Sequence, residues 1–286
     1  MFPLHVWISI GFWPCVAAYL LVLWVMVRRR GTSPFDNYIY GLFTALGCCD
    51  VFAQLYACLY TPLGILSGGP PFGEAAALPL LYVYASVLIA AYWLQAAIAA
   101  NRFTAIAFFS IYDSIWRGWR PAIVIAAPLC LSSALVVGFS APVLSVELNA
   151  SSALFLNPVA DWSTAAALRV LLLEFLAMQA ANVLALLAYA GALLRLRRHL
   201  GRTLDTGARY SSTRSKMVRE TKLLIVGMTI TSQQLLISVL LVFPASLWSV
   251  SLPKLAFDVY FTMNPLLYLT MDSQLRGAVR DTLWGR

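Results

Sequence analysis

A few ionisable side chains sit inside long apolar runs: Asp50, Arg169, Glu174 and Asp258, with Arg102 at the end of another run. Charge in hydrocarbon is costly, so such residues face a bundle interior or a water-filled cavity and mark polar networks or paths. Asp50 lies near the middle of its run and is predicted to serve a polar network between helices. Stepping back from Arg102 by three and four residues gives Ile98, Gln95, Ala91, Leu88 and Tyr84 on one helical face. An inward Arg102 therefore carries Gln95 and Tyr84 inward with it. The same stepping from Asp50 reaches Gln54 and Ala57, one and two turns further out. Gln54, Tyr84, Glu174 and Asp258 are predicted to line a mostly apolar cavity with a few fixed polar groups, the composition of a small-molecule site. Taken singly, Gln54 and Tyr84 fit a helix-packing role equally well. Arg169 and Glu174 are five residues apart, about 140° around a helix, and cannot form the usual i to i+4 pair. Arg169 is expected to snorkel to the headgroups, leaving Glu174 in need of a partner or a proton.

Nucleophilic and metal chemistry find no support. The two histidines, His5 and His199, stand apart from any apolar-run Ser or Cys, and no HExxH or phosphate-cradling Gly-rich loop occurs. The five cysteines, at 15, 48, 49, 58 and 130, form no CxxC or Cys/His cluster and read as small buried hydrophobes. No enzyme activity, cofactor, metal or disulfide is expected.

The elements that must position these residues are membrane spans. The sequence of 286 residues is 61% hydrophobic and 11% charged, far from the roughly 25% charged of soluble domains. A span needs about 20 apolar residues, and seven stretches qualify: 6–27, 38–60, 78–100, 121–141, 164–194, 223–248 and 255–271. An all-α, seven-helix membrane domain follows, with no appended soluble domain. All but two of the 20 basic residues, Lys254 and Arg169, fall in the first, third and fifth connections and the tail. Basic connections stay cytoplasmic, so the N-terminus is outside, and the net charge of +8 implies anionic lipid headgroups rather than nucleic acid. The first run is not a cleavable signal, since its basic cluster follows it. Asn149 begins an Asn-Ala-Ser glycosylation acceptor in an outer connection. In the tail, Leu275, Ala278, Val279 and Leu283 share a face, predicting a helix over 273–284 along the inner surface.

Two segments and Asp50 carry a family resemblance. Asn101-Arg102-Phe103 closes the third span, and Asn264-Pro265-Leu266-Leu267-Tyr268 ends the seventh. With Asp50 they look like the (D/E)RY-type, NPxxY and buried-aspartate positions of rhodopsin-like G-protein-coupled receptors. Asn101 to Ile106, Tyr112 to Arg117, Lys222-Leu223-Leu224 and Gln234-Leu235-Leu236 resemble, more narrowly, nematode serpentine chemoreceptors, the gamma-class Srg group and its relative Srv.

The resemblance implies a plasma-membrane sensory receptor for a small odorant or pheromone-like ligand, engaging a heterotrimeric G protein at its cytoplasmic face. Arg102 would be the switch arginine, Asn264, Pro265 and Tyr268 the hinge of the seventh helix, and Asn264 would reach towards Asp50. The acidic residue usually before the arginine is Asn101 here. Glu220, at the base of the sixth span, is expected either to supply that charge to Arg102 or to pair with Lys216. The first span lacks the usual Asn and the fourth the usual Trp. Ala91 replaces the hydroxyl expected at a sodium site, and Asp258 stands where a retinal-linking lysine would be. The alternative is a small transporter or channel with a polar path through Asp50, Glu174 and Asp258.

Overall fold

The computed structural model describes residues 13–32, 37–67, 72–140, 145–146, 158–159, 165–205, 211–242, 260, 264, 269 and 273–284. The first span is helix α1, Trp13–Arg28. The second starts at α2, Tyr38–Leu55, where the Asn37 side chain accepts a hydrogen bond from the Ile39 amide and so satisfies one of the free donors of a helix start. It passes through a π-helical turn, Tyr56–Tyr60, into α3, Thr61–Ser67. The third span is α4, Glu74–Ala107, which outlasts the predicted 78–100 at both ends. A 3-10 turn, Phe109–Ile111, and α5, Tyr112–Trp116, lead to the fourth span, α6, Arg120–Leu135, which ends in a second π-helical turn, Val136–Ser140. Helix α7, Ala165–Asp205, carries the fifth span and α8, Ser211–Val242, the sixth. Helix α9, Ser273–Leu283, lies in the tail. A two-residue antiparallel pairing, Ser145–Val146 with Pro158–Val159, is the one strand pairing among the described residues.

Among the described residues, four helices are long and apolar enough to cross a membrane: Tyr38–Gly64, Ala75–Ala107, Arg120–Gly138 and Leu172–Arg198. Their outward faces keep large apolar side chains exposed, including Ile123, Leu131, Leu172, Leu176, Leu184 and Leu187. A belt of that kind has no place in water and suits lipid. The fourth span is the extreme case, with Ser132 as the single buried side chain of α6.

Helix α4 is the hub and packs most extensively on α7. Their seam is built from Ala96 and Ala99 against Ala181, Ala185 and Ala192, all buried. Small residues let two backbones approach closely where lipid offers no hydrophobic drive for association. Gly191 extends the seam: a Cβ there would lie 3.0 Å from the Phe103 ring. At the other side of the bundle, Gly47 of α2 faces α1, and a Cβ would fall 2.5 Å from Leu23 Cδ2 and 3.2 Å from Tyr19 Cε2.

One sequence expectation needs correction. Cys49 and Cys58 are buried, but Cys48 and Cys130 are exposed and Cys15 is partly so, all five being free. In a membrane bundle a small apolar side chain is equally at home facing lipid. Helix α9 falls within the predicted 273–284; its Leu275, Ala278 and Val279 are buried and Leu283 is exposed, the helix packing against α1.

Candidate functional site

Three polar clusters tie the helices together through the bundle. The first centres on Asp50, fully buried in α2. Its Oδ2 accepts a 2.7 Å hydrogen bond from the Tyr19 hydroxyl of the first span and a 2.9 Å hydrogen bond from Asn264 Nδ2 of the seventh. The predicted reach of Asn264 towards Asp50 is therefore present. Tyr19 went unremarked in the sequence, although it supplies the first span's hydrogen bond to Asp50. Its signal was helical phase, which puts Tyr19 on the face shared with Val16, Leu23 and Met26, all buried.

The second cluster lies at the basic end of α4. Arg102 Nη1 stands 3.0 Å from Glu220 Oε2 of α8, with the arginine side chain 8% exposed. The ion pair joins the third and sixth spans. Asn101, the residue in the usual place of an acid, accepts a long 3.5 Å contact from Arg102 Nη2 and donates to the Tyr112 hydroxyl at 3.0 Å. Burial pushes the Tyr112 phenol above its usual range, the Asn101 hydrogen bond pulling the other way, so it stays protonated and able to exchange hydrogen bonds with Asn101. Trp116 Nε1 donates to Thr104 at 2.8 Å, and Arg120 donates to the Ser114 carbonyl. The connection after α4 is thus folded back on it, leaving Phe108, Phe109 and Ile111 exposed, Phe109 at 86%.

The third cluster sits two turns deeper. Gln95 Nε2 reaches the Tyr189 hydroxyl at 3.3 Å, the Gly227 carbonyl at 3.4 Å and Thr231 Oγ1 at 3.5 Å. The sixth span adds Gln234, which donates to the Tyr260 hydroxyl of the seventh at 2.6 Å. Glu220, Gly227, Thr231 and Gln234 recur at helical spacing, so one stripe of α8 carries its polar ties to the third and seventh spans.

Towards the other end, Tyr84 of α4 stacks on Tyr56 at 4.3 Å, Tyr56 on Tyr60 at 5.1 Å, and Tyr60 on Phe72 at 5.8 Å. Tyr56 and Tyr60 of that column bound the π-helical turn of the second span; such turns widen a helix by one residue and are frequent at functional positions. Gln54, one turn from Asp50, is 2% exposed, and neither amide atom has a hydrogen-bond partner. Glu174 is half-buried and takes part in a polar or electrostatic interaction. Asp258, Pro265, Tyr268 and Asn149 lie outside the described residues, as does the Arg169 side chain.

The family profile described as serpentine type 7TM GPCR chemoreceptor Srv matches residues 9–284. The chain belongs to that family. This Srv chain is therefore a multi-pass membrane protein of the G-protein-coupled receptor class, and Srv is the group set beside the gamma class by its motifs. Its fold is similar to the crystal structure of squid rhodopsin, with a TM-score of 0.78 at 15% identity over 98% of this chain and 84% of the other. At that identity the likeness speaks for the seven-helix fold alone. No curated protein matches the Srv chain by sequence.

Proposed function

We propose that this chain is a chemosensory receptor of the plasma membrane that binds a small extracellular ligand between its helices and activates a heterotrimeric G protein at its cytoplasmic face. The observation that carries the reading is the Arg102–Glu220 ion pair. It clasps the third span to the sixth at the end rich in arginine, and a guanidinium held by one removable carboxylate is a switch with two arrangements. Released from Glu220, Arg102 has five donors for a partner's carbonyls or carboxylates. The exposed Phe108, Phe109 and Ile111 beside it supply the apolar patch that marks a protein-binding surface. The basic connection over 195–222 adds attraction to anionic lipid.

The ligand end rests on two features. Gln54 is a buried amide with unmet hydrogen-bonding capacity, which is costly unless something fills it. The stacked column of Tyr84, Tyr56, Tyr60 and Phe72 offers flat apolar faces beside it. A small organic molecule with one polar group matches that lining. Glu174 and Asp258 belong to the same proposed cavity, Asn264, Pro265 and Tyr268 to the hinge, and Asn149 to the glycosylated outer surface.

Membranes carrying the chain, screened with pooled small organic compounds against a panel of heterotrimeric G proteins, test the reading. Ligand-dependent nucleotide exchange that disappears in Arg102→Ala is expected. Solute flux with no exchange on any G protein would point to the transporter reading and overturn this one.

A further inference from the structure

The Arg102–Glu220 pair is not the only tie between the third and sixth spans. Seven residues separate Arg102 from Gln95, and seven separate Glu220 from Gly227, which is two helical turns or about 10.5 Å on each helix. The spans run antiparallel, so the Gln95 contacts to Gly227 and Thr231 repeat the ion pair in register. Tyr189 of the fifth span joins this second tie through its hydroxyl.

Gly227 makes the joint possible. A Cβ added there would collide with Cζ and the hydroxyl of Tyr189 and lie 2.6 Å from its Cε1. The phenol ring occupies the space of a missing side chain and seats directly on the α8 backbone. Tyr189 is buried at 1% exposure, and Leu224 beside it is fully buried, so the ring is enclosed as well as seated.

The hydrogen bonding is incomplete. Gln95 Nε2 has two protons for three acceptors at 3.3 to 3.5 Å, and its Oε1 is buried without a partner. A fully satisfied buried network rigidifies a core. One left partly unmet, with long contacts, holds its parts together by a small margin and is readily released.

We infer that Gln95, Tyr189 and the Gly227 notch form a second, uncharged latch that holds the sixth span against the third and fifth, and that it sets the resting position of the sixth span alongside the Arg102–Glu220 pair. Gln95 and Tyr189 act as positioning residues: they touch neither ligand nor partner and work through the placement of α8. The inference rests on the proposed receptor function only for its consequence in signalling, since the latch itself is a matter of helix position.

The test therefore reads position without any G protein or ligand. Spin labels on encoded non-cysteine residues at Arg117 and Lys222, both exposed, report the distance between the connection folded back on α4 and the sixth span in the full-length chain in lipid nanodiscs. Tyr189→Phe keeps the ring and removes the hydroxyl. Gly227→Ala keeps the hydroxyl and fills the notch. Each is expected to raise the long-distance population by about fivefold, the scale of one net hydrogen bond or packing contact, with the Arg102–Glu220 pair intact in sequence. Ile225→Ala, on the lipid-facing side of α8, should leave the distribution unchanged. Gln95→Met serves as a second hub variant should Gly227→Ala fail to yield a monodisperse protein. Distances unchanged in Tyr189→Phe and in the folded hub variant would overturn the latch. A shifted distance with no effect on nucleotide exchange would leave the latch standing and count against the proposed signalling function.

Discussion

At Asn101 a single residue type changes how the proposed switch is restrained. An acid there would sit beside Arg102 on the same helix and restrain it from within α4. Asn101 carries no charge and instead exchanges hydrogen bonds with Tyr112, while the restraining carboxylate comes from α8, 118 residues away. The connection after α4 is thereby held by a neutral bond, separate from the charge that holds Arg102. Tyr112→Phe should loosen this connection and leave the ion pair in place: faster amide hydrogen exchange over 108–116 is expected, with little change in unfolding temperature. Unchanged exchange there would show that Trp116 and Thr104 suffice to hold it. A different kind of residue effect is expected at Gly47, where an added Cβ meets Leu23 and Tyr19. Gly47→Ala should cost about 1–3 kcal/mol of stability, as overpacking of a tight interface does, and denaturant unfolding in detergent measures it. A neutral result would mean that Leu23 has a second rotamer to offer.

Whole elements show why part of the bundle was legible and part was not. Runs of about 20 apolar residues announced the spans, and 3.6-residue stepping from Arg102 placed Gln95 and Ala91 on the inner face, where both are buried. Glu220 was visible as a candidate partner because acidic residues in the basic connection before the sixth span are few. Tyr19, Tyr189 and Gly227 were not, since their partners lie 31 or more residues away and a tyrosine in an apolar run reads as packing. The π-helical turns over Tyr56–Tyr60 and Val136–Ser140 left no mark either, because they change helical phase without changing hydropathy. Ordinary stepping from Asp50 continues through Gln54 to Ala57, whereas the stacked column runs through Tyr56 and Tyr60. The seam between α4 and α7 was latent in the alanines alone. Ala185→Leu should force those helices apart and lower the unfolding temperature, at a cost of about 1–3 kcal/mol, whereas the same change at lipid-facing Ala122 should be close to neutral; equal effects at both positions would deny the seam its role.

For the molecule as a whole, the polar ties of the sixth span run along one stripe: Glu220, Gly227 and Thr231 to the third and Gln234 to the seventh, with Tyr189 of the fifth seated at Gly227. The sixth span has neutral contacts deep in the bundle and its charged contact at the basic end, so moving it exposes Arg102 beside Phe109. In the proposed receptor, Glu220 keeps Arg102 from a G protein. It is tested most directly by nucleotide exchange on a reconstituted heterotrimer with purified chain, no ligand added, comparing the unaltered protein with Glu220→Gln and Arg102→Ala. Losing a charge-assisted hydrogen bond worth about 1.5–3 kcal/mol should raise basal exchange by about tenfold or more in Glu220→Gln, and Arg102→Ala should fall below the unaltered chain. Equal exchange by all three folded proteins would contradict the account.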